Sequence, residues 1–271
     1  MILMLIVVKL GGSTLEEGVS DEFVQDVKKV AADHKVVIVH GGGARVTEIA
    51  TKLGKEQKFI VSPEGFRSRY TDRETAQIYT MVMAGKTNKD IVMALQRGSV
   101  NAVGLSGLDG SLAIAERKKQ LVIIDERGRK RIIEGGYTGK ISKINTSLLN
   151  LLGDNGYTPV IAPIAIGLES EPLNTDGDRM AANIAGALKA DLLILLTDVK
   201  GVELDNKLIP KMKVLEAKDT LPRIGHGMIT KIYAAIEAID QGVKKVTIAP
   251  GLEPSPISLS IEDRCGTVIE R

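Results

Sequence analysis

Short apolar runs alternate with amphipathic stretches along most of the chain. Helical spacing marks residues 21–32, 44–53, 75–97, 146–152, 179–188 and 229–239. Between them, six apolar runs lack polar alternation, which is typical of strands covered on both faces. These runs are residues 3–8, 36–39, 102–105, 159–162, 192–196 and 246–249. The order predicts an α/β fold, a three-layer α-β-α sandwich with a mainly parallel sheet.

Three segments depart from this alternation. Residues 121–133 and 138–144 are short, charged and rich in turn residues, so we predict two hairpins that project from the sheet. Gly85-Lys86-Thr87 resembles the end of a phosphate-binding loop, but Thr80 occupies the position of the first glycine of that motif. We therefore interpret these three residues as a surface turn.

Composition narrows the class of protein. The chain has 271 residues, of which 44% are hydrophobic and 26% charged, and its net charge is +2. This near-neutral balance gives no argument for binding nucleic acid or a membrane, and no apolar run is long enough for a membrane helix. The single Cys265 excludes an internal disulfide and suits a reducing compartment, so we expect a cytoplasmic protein.

Glycine-rich strand ends are the most informative chemical feature. Lys9 follows the first apolar run, and a helical pattern containing Lys231 follows a third glycine-rich segment. Glycine lets an anion approach backbone N–H groups closely, and a lysine beside it supplies positive charge. The combination predicts a site that moves a phosphoryl group. The glycines after the first two strands are Gly11, Gly12, Gly41, Gly42 and Gly43.

Five motifs in one order resemble the amino acid kinase superfamily, with the spacing of N-acetylglutamate kinase over essentially the whole chain. They are Lys-Leu-Gly-Gly from Lys9, His-Gly-Gly-Gly from His40, Asn174 with Asp178, Leu-Thr-Asp-Val-Lys-Gly from Leu196, and Gly-Met-Ile-Thr-Lys ending at Lys231. Residues 65–72, Gly-Phe-Arg-Ser-Arg-Tyr-Thr-Asp, depart from that enzyme. They are similar to a related kinase that acts on amino acids attached to the carrier protein LysW, in lysine biosynthesis and in some archaea in arginine biosynthesis.

The resemblance implies ATP-dependent phosphorylation of a side-chain carboxylate of aminoadipate or glutamate, with Mg²⁺ bridging the ATP phosphates and no metal ligand from the protein. Free N-acetylglutamate is the alternative substrate. Another alternative is a regulatory protein that binds nucleotide without turnover.

The resemblance also assigns roles to individual residues. Lys9 and Lys231 would be catalytic and Asp178 would hold them, although Asp178 as a simple helix N-cap is the alternative. Substrate would be bound by Gly41, Gly42, Gly43, Arg67 and Asn174, and nucleotide by Gly11, Gly12, Thr197 and Asp198.

Positive charge is concentrated in one segment of the chain. Residues 117–143 contain nine basic and three acidic residues, net +6. One interpretation is a solvated hairpin whose charges protect an exposed sheet edge. The other is a docking surface for an acidic carrier, in line with the acidic LysW carriers of the resemblance. The docking residues would be Arg69, Arg129, Lys130, Arg131, Lys140 and Lys143.

The resemblance further implies two lobes and a homodimer. Residues 1–165 would bind the amino acid and carrier, and residues 166–271 would bind ATP. The helical region 75–97 would pair across a two-fold axis, although its apolar residues would equally suit the core. Ring-forming, arginine-inhibited members carry an extra N-terminal helix, whereas the first strand here begins near Met1, so we expect a dimer without arginine inhibition.

Overall fold

A mainly parallel sheet forms the centre of the molecule. The computed structural model describes residues 3–15, 18–63 and 65–271. Within these residues an 11-stranded sheet runs in the order β15-β17-β16-β12-β1-β2-β10-β6-β9, and β5 and β11 also pair with β10. The strands are β1 Leu5–Leu10, β2 Lys35–His40, β3 Phe59–Val61, β4 Arg67–Arg69, β5 Ala102–Gly107, β6 Ala113–Arg117, β7 Gln120–Ile124, β8 Lys130–Glu134, β9 Gly139–Ile144, β10 Thr158–Ile166, β11 Pro172–Asn174, β12 Leu192–Thr197, β13 Glu203–Leu204, β14 Lys207–Leu208, β15 Lys211–Lys213, β16 Lys245–Pro250 and β17 Thr267–Glu270.

Helices cover both faces of this sheet, which confirms the predicted three layers. Val7 packs in one core with residues of α6 and α8, while Ile6 and Val8 pack in another with α1 and α4. Successive residues of β1 are therefore both buried, which is why the strand shows no polar alternation. The helices are α1 Asp21–Ala31, α2 Gly43–Lys52, α3 Arg73–Thr80, α4 Asn88–Arg97, α5 Ser147–Asp154, α6 Gly177–Leu188, α7 Val214–Thr220, α8 His226–Asp240 and α9 Pro256–Ile261. No described helix is long and apolar enough to cross a bilayer.

The predicted long helix 75–97 is interrupted by a π-helical turn. Met81–Thr87 forms this turn between α3 and α4, so interpreting Gly85-Lys86-Thr87 as a surface turn was wrong. The apolar residues of this region, which we predicted to pair in a dimer or to pack in the core, mostly face the core, since Ile78, Val82, Ile91 and Leu95 are buried. Met81 and Met93 are the exposed apolar residues of this region.

Of the two predicted hairpins, one is confirmed. β7 and β8 pair antiparallel as a separate two-stranded sheet. Residues 138–144 are not a hairpin, because β9 is a single strand that pairs antiparallel with β6 at the edge of the main sheet. The register of this pair shifts at Ile114/Ala115, and in β9 two neighbouring residues, Ser142 and Lys143, are both exposed. This irregularity hides the strand in the sequence pattern.

Candidate active site

A cleft of about 690 Å³ opens where β1 and β2 end and α6 and α8 begin. β1 pairs in parallel with both β2 and β12, so these three strands end at the same edge of the sheet. Ligands commonly bind outside the carboxyl ends of such strands. The cleft is lined by Lys9 from β1, the loop after β2, the start of α6 and one side of α8.

Two lysines share one buried carboxylate at this edge. Lys9 Nζ lies 2.7 Å from Asp178 Oδ1, and Lys231 Nζ lies 3.3 Å from Asp178 Oδ2. Lys9 is 7% exposed and Asp178 is 4% exposed. The N-cap of α6 is Asp176, whose side chain accepts a hydrogen bond from the Arg179 N–H. Asp178 is therefore not the helix cap, and the structure brings the three residues together as the sequence predicted.

The charges of this triad shift the pKa values of Asp178 and Lys9. Burial alone would raise the pKa of Asp178, but Lys9 and Lys231 outweigh it and lower that pKa to about 2. Burial alone would likewise lower the pKa of Lys9, and the Asp178 carboxylate raises it above the ordinary value. At neutral pH the triad thus holds two positive charges and one negative charge. A net positive centre inside a cleft is suited to an anion.

The glycines around the triad are required by close backbone contacts. A Cβ atom on Gly41 would lie 2.9 Å from the Gly12 nitrogen, and Gly42 has a φ of 135°. Gly12 and Gly41–Gly43 all line the cleft. Gly11 lies at the same strand end, where its carbonyl accepts a hydrogen bond from Thr14 Oγ1 at 2.8 Å. A larger residue at Gly41 would displace the backbone of Gly12, and one at Gly42 would strain the backbone, so either would distort the loops that line the cleft.

The predicted substrate residues Arg67 and Asn174 also line the cleft. Arg67 stacks on the Phe59 ring, with its guanidinium carbon 4.0 Å from the ring centre, and lines the cleft. Asn174 also lines the cleft, and its Nδ2 donates to Thr71 Oγ1 at 2.9 Å. Both remain predicted substrate ligands.

The predicted nucleotide residues Thr197 and Asp198 lie at the carboxyl end of β12. Thr197 is buried and Asp198 exposed, and the Thr197 hydroxyl donates to Asp198 Oδ1 at 3.1 Å. Because β12 is the parallel neighbour of β1, this pair lies at the same sheet edge as Lys9. Their role in binding nucleotide stays a prediction.

Arg69 does not belong to an exposed docking surface. It is 8% exposed, and its guanidinium donates to the Gly43 carbonyl at 2.7 Å, to Thr47 Oγ1 at 2.9 Å and to Gln57. Arg69 therefore joins β4 to α2 inside the protein, and we remove it from the docking prediction. Burial of an arginine in a charged segment depends on tertiary packing, which the sequence pattern does not show.

The other predicted docking residues are exposed on β8, β9 and the β7–β8 turn. Arg129 and Arg131 share the Asp125 carboxylate at 3.1 and 2.8 Å. This pairing reduces the net charge at the tip of the hairpin. Lys130, Lys140 and Lys143 are exposed, and Lys140 also lines the cleft.

Sequence reasoning missed several side chains that form the cleft. Lys118 was counted in the basic segment but not singled out, although it lines the cleft, and burial, Arg179 and Lys140 together lower its pKa. Phe66 contacts Tyr233 with ring centres 5.4 Å apart, which connects the loop before β4 to α8. The position of Tyr233 two residues after Lys231 was the available signal.

The donor set fits a metal ion carried by a ligand. Within residues 3–15, 18–63 and 65–271, no cluster of three or more His, Cys, Asp or Glu side chains is arranged to hold a metal ion. Asp178 is engaged by two lysines and Asp176 caps α6. A divalent cation in the cleft would thus draw most of its oxygen ligands from a bound phosphate chain.

Comparison with known proteins decides the family. A model of the Amino acid kinase family matches residues 4–250. The chain belongs to the amino acid kinase family. It is 48% identical over 267 residues to the LysW-aminoadipate/LysW-glutamate kinase of Sulfolobus acidocaldarius, covering 98% of this chain and 100% of that protein. It is 44% identical over 266 residues to the kinase of the same name from Saccharolobus solfataricus, with 98% and 99% covered.

Two solved structures share the fold of this chain. N-acetylglutamate synthase from Neisseria gonorrhoeae, complexed with coenzyme A and N-acetyl-glutamate, matches with a TM-score of 0.80 and 23% identity. That match covers 99% of this chain and 59% of the synthase chain. Carbamate kinase from Giardia lamblia bound to AMP-PNP matches with a TM-score of 0.69 and 17% identity, covering 99% and 98%. At these identities the likeness supports the fold alone.

Proposed function

We propose that this protein uses ATP to phosphorylate the free side-chain carboxylate of aminoadipate or glutamate whose amine is joined to an acidic LysW-type carrier protein. The pairing of Lys9 and Lys231 on the buried Asp178 carries the proposal. Relatives named as LysW-aminoadipate/LysW-glutamate kinases, at 44–48% identity over nearly the full length, favour this substrate over free N-acetylglutamate.

The reaction needs charge neutralisation rather than a general base. A carboxylate with a pKa of about 4.3 is already ionised at neutral pH. One of its oxygens bonds to the γ-phosphorus of ATP as the bond from that phosphorus to the bridging oxygen of ADP breaks, giving an acyl phosphate and ADP. The difficulty is to bring two anions together, and Lys9 and Lys231 offset that repulsion. Asp178 keeps both lysines in place.

The remaining parts of the cleft bind and orient the two substrates. Gly12 and Gly41–Gly43 offer backbone N–H groups to the phosphates. Thr197 and Asp198 are not among the residues that line the cleft, but they lie beside it at the end of β12 and would bind the nucleotide within the lobe of residues 166–271. Mg²⁺ bound to the ATP phosphates supplies further charge neutralisation. Arg67, in the lobe of residues 1–165, makes a fork to the substrate α-carboxylate, and Asn174, at the end of β11 and beyond that lobe in sequence, hydrogen-bonds to the substrate near its α-carbon.

Basic residues connect the cleft to the outer surface, which supports a substrate carried by an acidic protein. Lys118 and Lys140 line the cleft, and neither forms an ion pair with any residue that the structure describes. Lys143, Lys130 and the Asp125-paired arginines extend this charge along β9 and β8. A free small substrate would not need positive charge so far from the reacting carboxylate.

The proposal also covers the pathway, the cellular location and the oligomeric state. The enzyme would serve arginine as well as lysine biosynthesis, would lie in the cytoplasm, and would form a homodimer through the exposed Met81 and Met93. Small-angle scattering measures the mass in solution, and a dimer should have twice the mass of one chain. A monomer or a hexamer would contradict it.

Trapping of the product tests the proposed reaction. The protein is incubated with ATP, Mg²⁺, hydroxylamine and one of three substrates: carrier-linked glutamate, carrier-linked aminoadipate or free N-acetylglutamate. The carrier or the free amino acid is then analysed by mass spectrometry. We expect a hydroxamate on the carrier, and none with Lys231→Ala. ATP binding without any hydroxamate would favour the regulatory alternative. A hydroxamate formed only from free N-acetylglutamate would favour N-acetylglutamate kinase.

A further inference from the structure

His40 is a buried imidazole whose two nitrogens contact different partners. It ends β2 and has no solvent exposure. Its Nδ1 lies 2.8 Å from the Gly41 carbonyl oxygen, and its Nε2 lies 3.2 Å from Asn88 Nδ2. Burial lowers the pKa of His40 to about 4, although the hydrogen bond to Gly41 opposes this effect and the Lys89 charge adds to it. The ring is therefore neutral at physiological pH and carries one proton.

Asn88 decides which nitrogen carries that proton. Asn88 Nδ2 lies 2.9 Å from the Val160 carbonyl oxygen and 3.3 Å from that of Leu105, and carbonyls only accept. Asn88 Oδ1 accepts from Lys89 Nζ at 3.0 Å, and an ammonium only donates. The amide is thus oriented from both sides, and its two N–H groups are shared among three acceptors, the two carbonyls and His40 Nε2. Because this NH₂ group offers Nε2 no acceptor and the Gly41 carbonyl can only accept, Nδ1 holds the proton and donates it to that carbonyl.

The π-helical turn Met81–Thr87 explains how Asn88 reaches this position. Each residue of an α-helix rotates the next by about 100°, and a π turn inserts one extra residue. The residues of α4 are therefore rotated relative to those of α3. As a result Asn88, the first residue of α4, is fully buried against the carbonyl groups of β5 and β10.

The contact with His40 fixes the peptide between Gly41 and Gly42. This peptide is trans, so its carbonyl and its N–H point in opposite directions. Holding the Gly41 carbonyl against the buried imidazole directs the Gly42 N–H away from it, and Gly42 lines the cleft. Two successive glycines have wide backbone freedom and would otherwise let this peptide rotate.

We propose that His40 and Asn88 are positioning residues, which hold the Gly41–Gly42 peptide in the one orientation that offers the Gly42 N–H to the transferring phosphoryl group. The role in transfer rests on the proposed function, whereas the tautomer and the peptide orientation do not. Neither side chain touches substrate, and both act through the backbone of the cradle.

A matched pair of neutral variants tests which nitrogen matters. In His40→Asn the side-chain amide falls near the Nδ1 position and can still donate to the Gly41 carbonyl. In His40→Gln the amide falls near the Nε2 position, so the contact with Asn88 is kept and the donor to Gly41 is lost. We expect His40→Asn to retain most of kcat, and kcat of His40→Gln to fall about 10- to 100-fold, less than for outright loss of a stabilising donor. KM for ATP should change little.

Ser260→Ala controls for general destabilisation, because it removes a buried hydrogen bond to the Pro256 carbonyl in α9, outside the cleft. Its kcat should match the wild type even if it unfolds earlier. If His40→Gln does not fold, Asn88→Ala replaces it: Nδ1 can still donate, but the ring loses the contact that orients it at Nε2, so kcat should fall by a smaller factor than in His40→Gln, and an unchanged kcat would contradict the role of Asn88. Equal kcat in His40→Asn and His40→Gln would overturn the proposal.

A second measurement does not depend on any activity. Long-range ¹H–¹⁵N spectra of the three histidines should show His40 as the neutral Nδ1–H tautomer at pH 7, and the Gly42 amide signal should move farther from its wild-type position in His40→Gln than in His40→Asn, since both variants lose the imidazole ring but only His40→Gln loses the donor to Gly41. The Nε2–H tautomer or a charged ring would overturn the inference. If the spectra agree and the wild type transfers no phosphoryl group, the proposed function fails and the account of the cradle stands.

Discussion

Replacing Asp178 with asparagine removes the one negative charge that two buried lysines share. The magnitude follows from the pKa of Asp178, which falls from an ordinary 3.8 to about 2 in the folded protein. At ~1.4 kcal/mol per pKa unit, this shift corresponds to about 2–3 kcal/mol of folding stability at pH 7. Breaking a buried ion pair typically costs ~3–5 kcal/mol. We therefore expect Asp178→Asn to lower the free energy of unfolding by about 2–5 kcal/mol.

The pH dependence has a defined sign. Because the folded pKa lies below the unfolded value, the stabilisation by Asp178 is fully present above pH ~4 and is lost as pH falls toward ~2. The difference in unfolding free energy between wild type and Asp178→Asn should thus be constant near neutral pH and should shrink over that acidic window.

Urea unfolding at pH 7 with and without nucleotide is the assay. A phosphate chain supplies negative charge to Lys9 and Lys231, so saturating ATP should recover part of the stability that Asp178→Asn loses. Asp154→Asn is the matched control, since it breaks the more exposed pair with Lys35 at 2.5 Å and should cost at most ~1 kcal/mol. Equal urea midpoints for wild type and Asp178→Asn would refute the electrostatic account of the triad.

Three further predictions concern transfer, substrate and carrier. Lys9→Ala or Lys231→Ala should raise the free-energy barrier of the chemical step by ~2.7–4 kcal/mol, so kcat should fall far more than substrate binding weakens. A near-normal kcat in steady-state assays would mean that the lysine is not catalytic. Arg67→Lys should raise KM for the amino acid substrate strongly, because lysine lacks the planar fork; an unchanged KM would mean that another group binds the carboxylate. Replacing Arg129, Lys130 and Arg131 together with glutamate should raise KM for carrier-linked substrate, and so should added salt. KM for a small N-acylated substrate should change with neither. Equal changes for both substrates would mean that the hairpin is purely structural.

The six apolar runs predicted six strands because each is covered on both faces, a property visible in local sequence. The two lysines of the triad were also predictable, since Lys9 lies near the end of one strand and a glycine-rich segment precedes the helix that contains Lys231. Asp178 was identified by its spacing from Asn174, which resembles that of the family. Parallel pairing then brings residues distant in sequence to one edge of the sheet.

Prediction from the sequence was wrong where tertiary contacts determine the local structure. Arg69 has the composition of a surface residue, yet three acceptors inside the protein hold it. β9 was mistaken for a hairpin because a register shift breaks its alternation. The π turn at Met81–Thr87 has no local signature in an apolar helical pattern. Its structural effect, the placement of Asn88 against buried carbonyl groups, is seen only in the folded protein.

The central claim is that the substrate arrives on a carrier protein. Relative kcat/KM for carrier-linked aminoadipate, carrier-linked glutamate and free N-acetylglutamate, measured with one enzyme preparation at one salt concentration, tests it most directly. The account predicts that at least one carrier-linked substrate is preferred over free N-acetylglutamate by well over the ~10- to 200-fold that one methylene group can supply. Equal values for carrier-linked and free substrates, or a preference for free N-acetylglutamate, would contradict it.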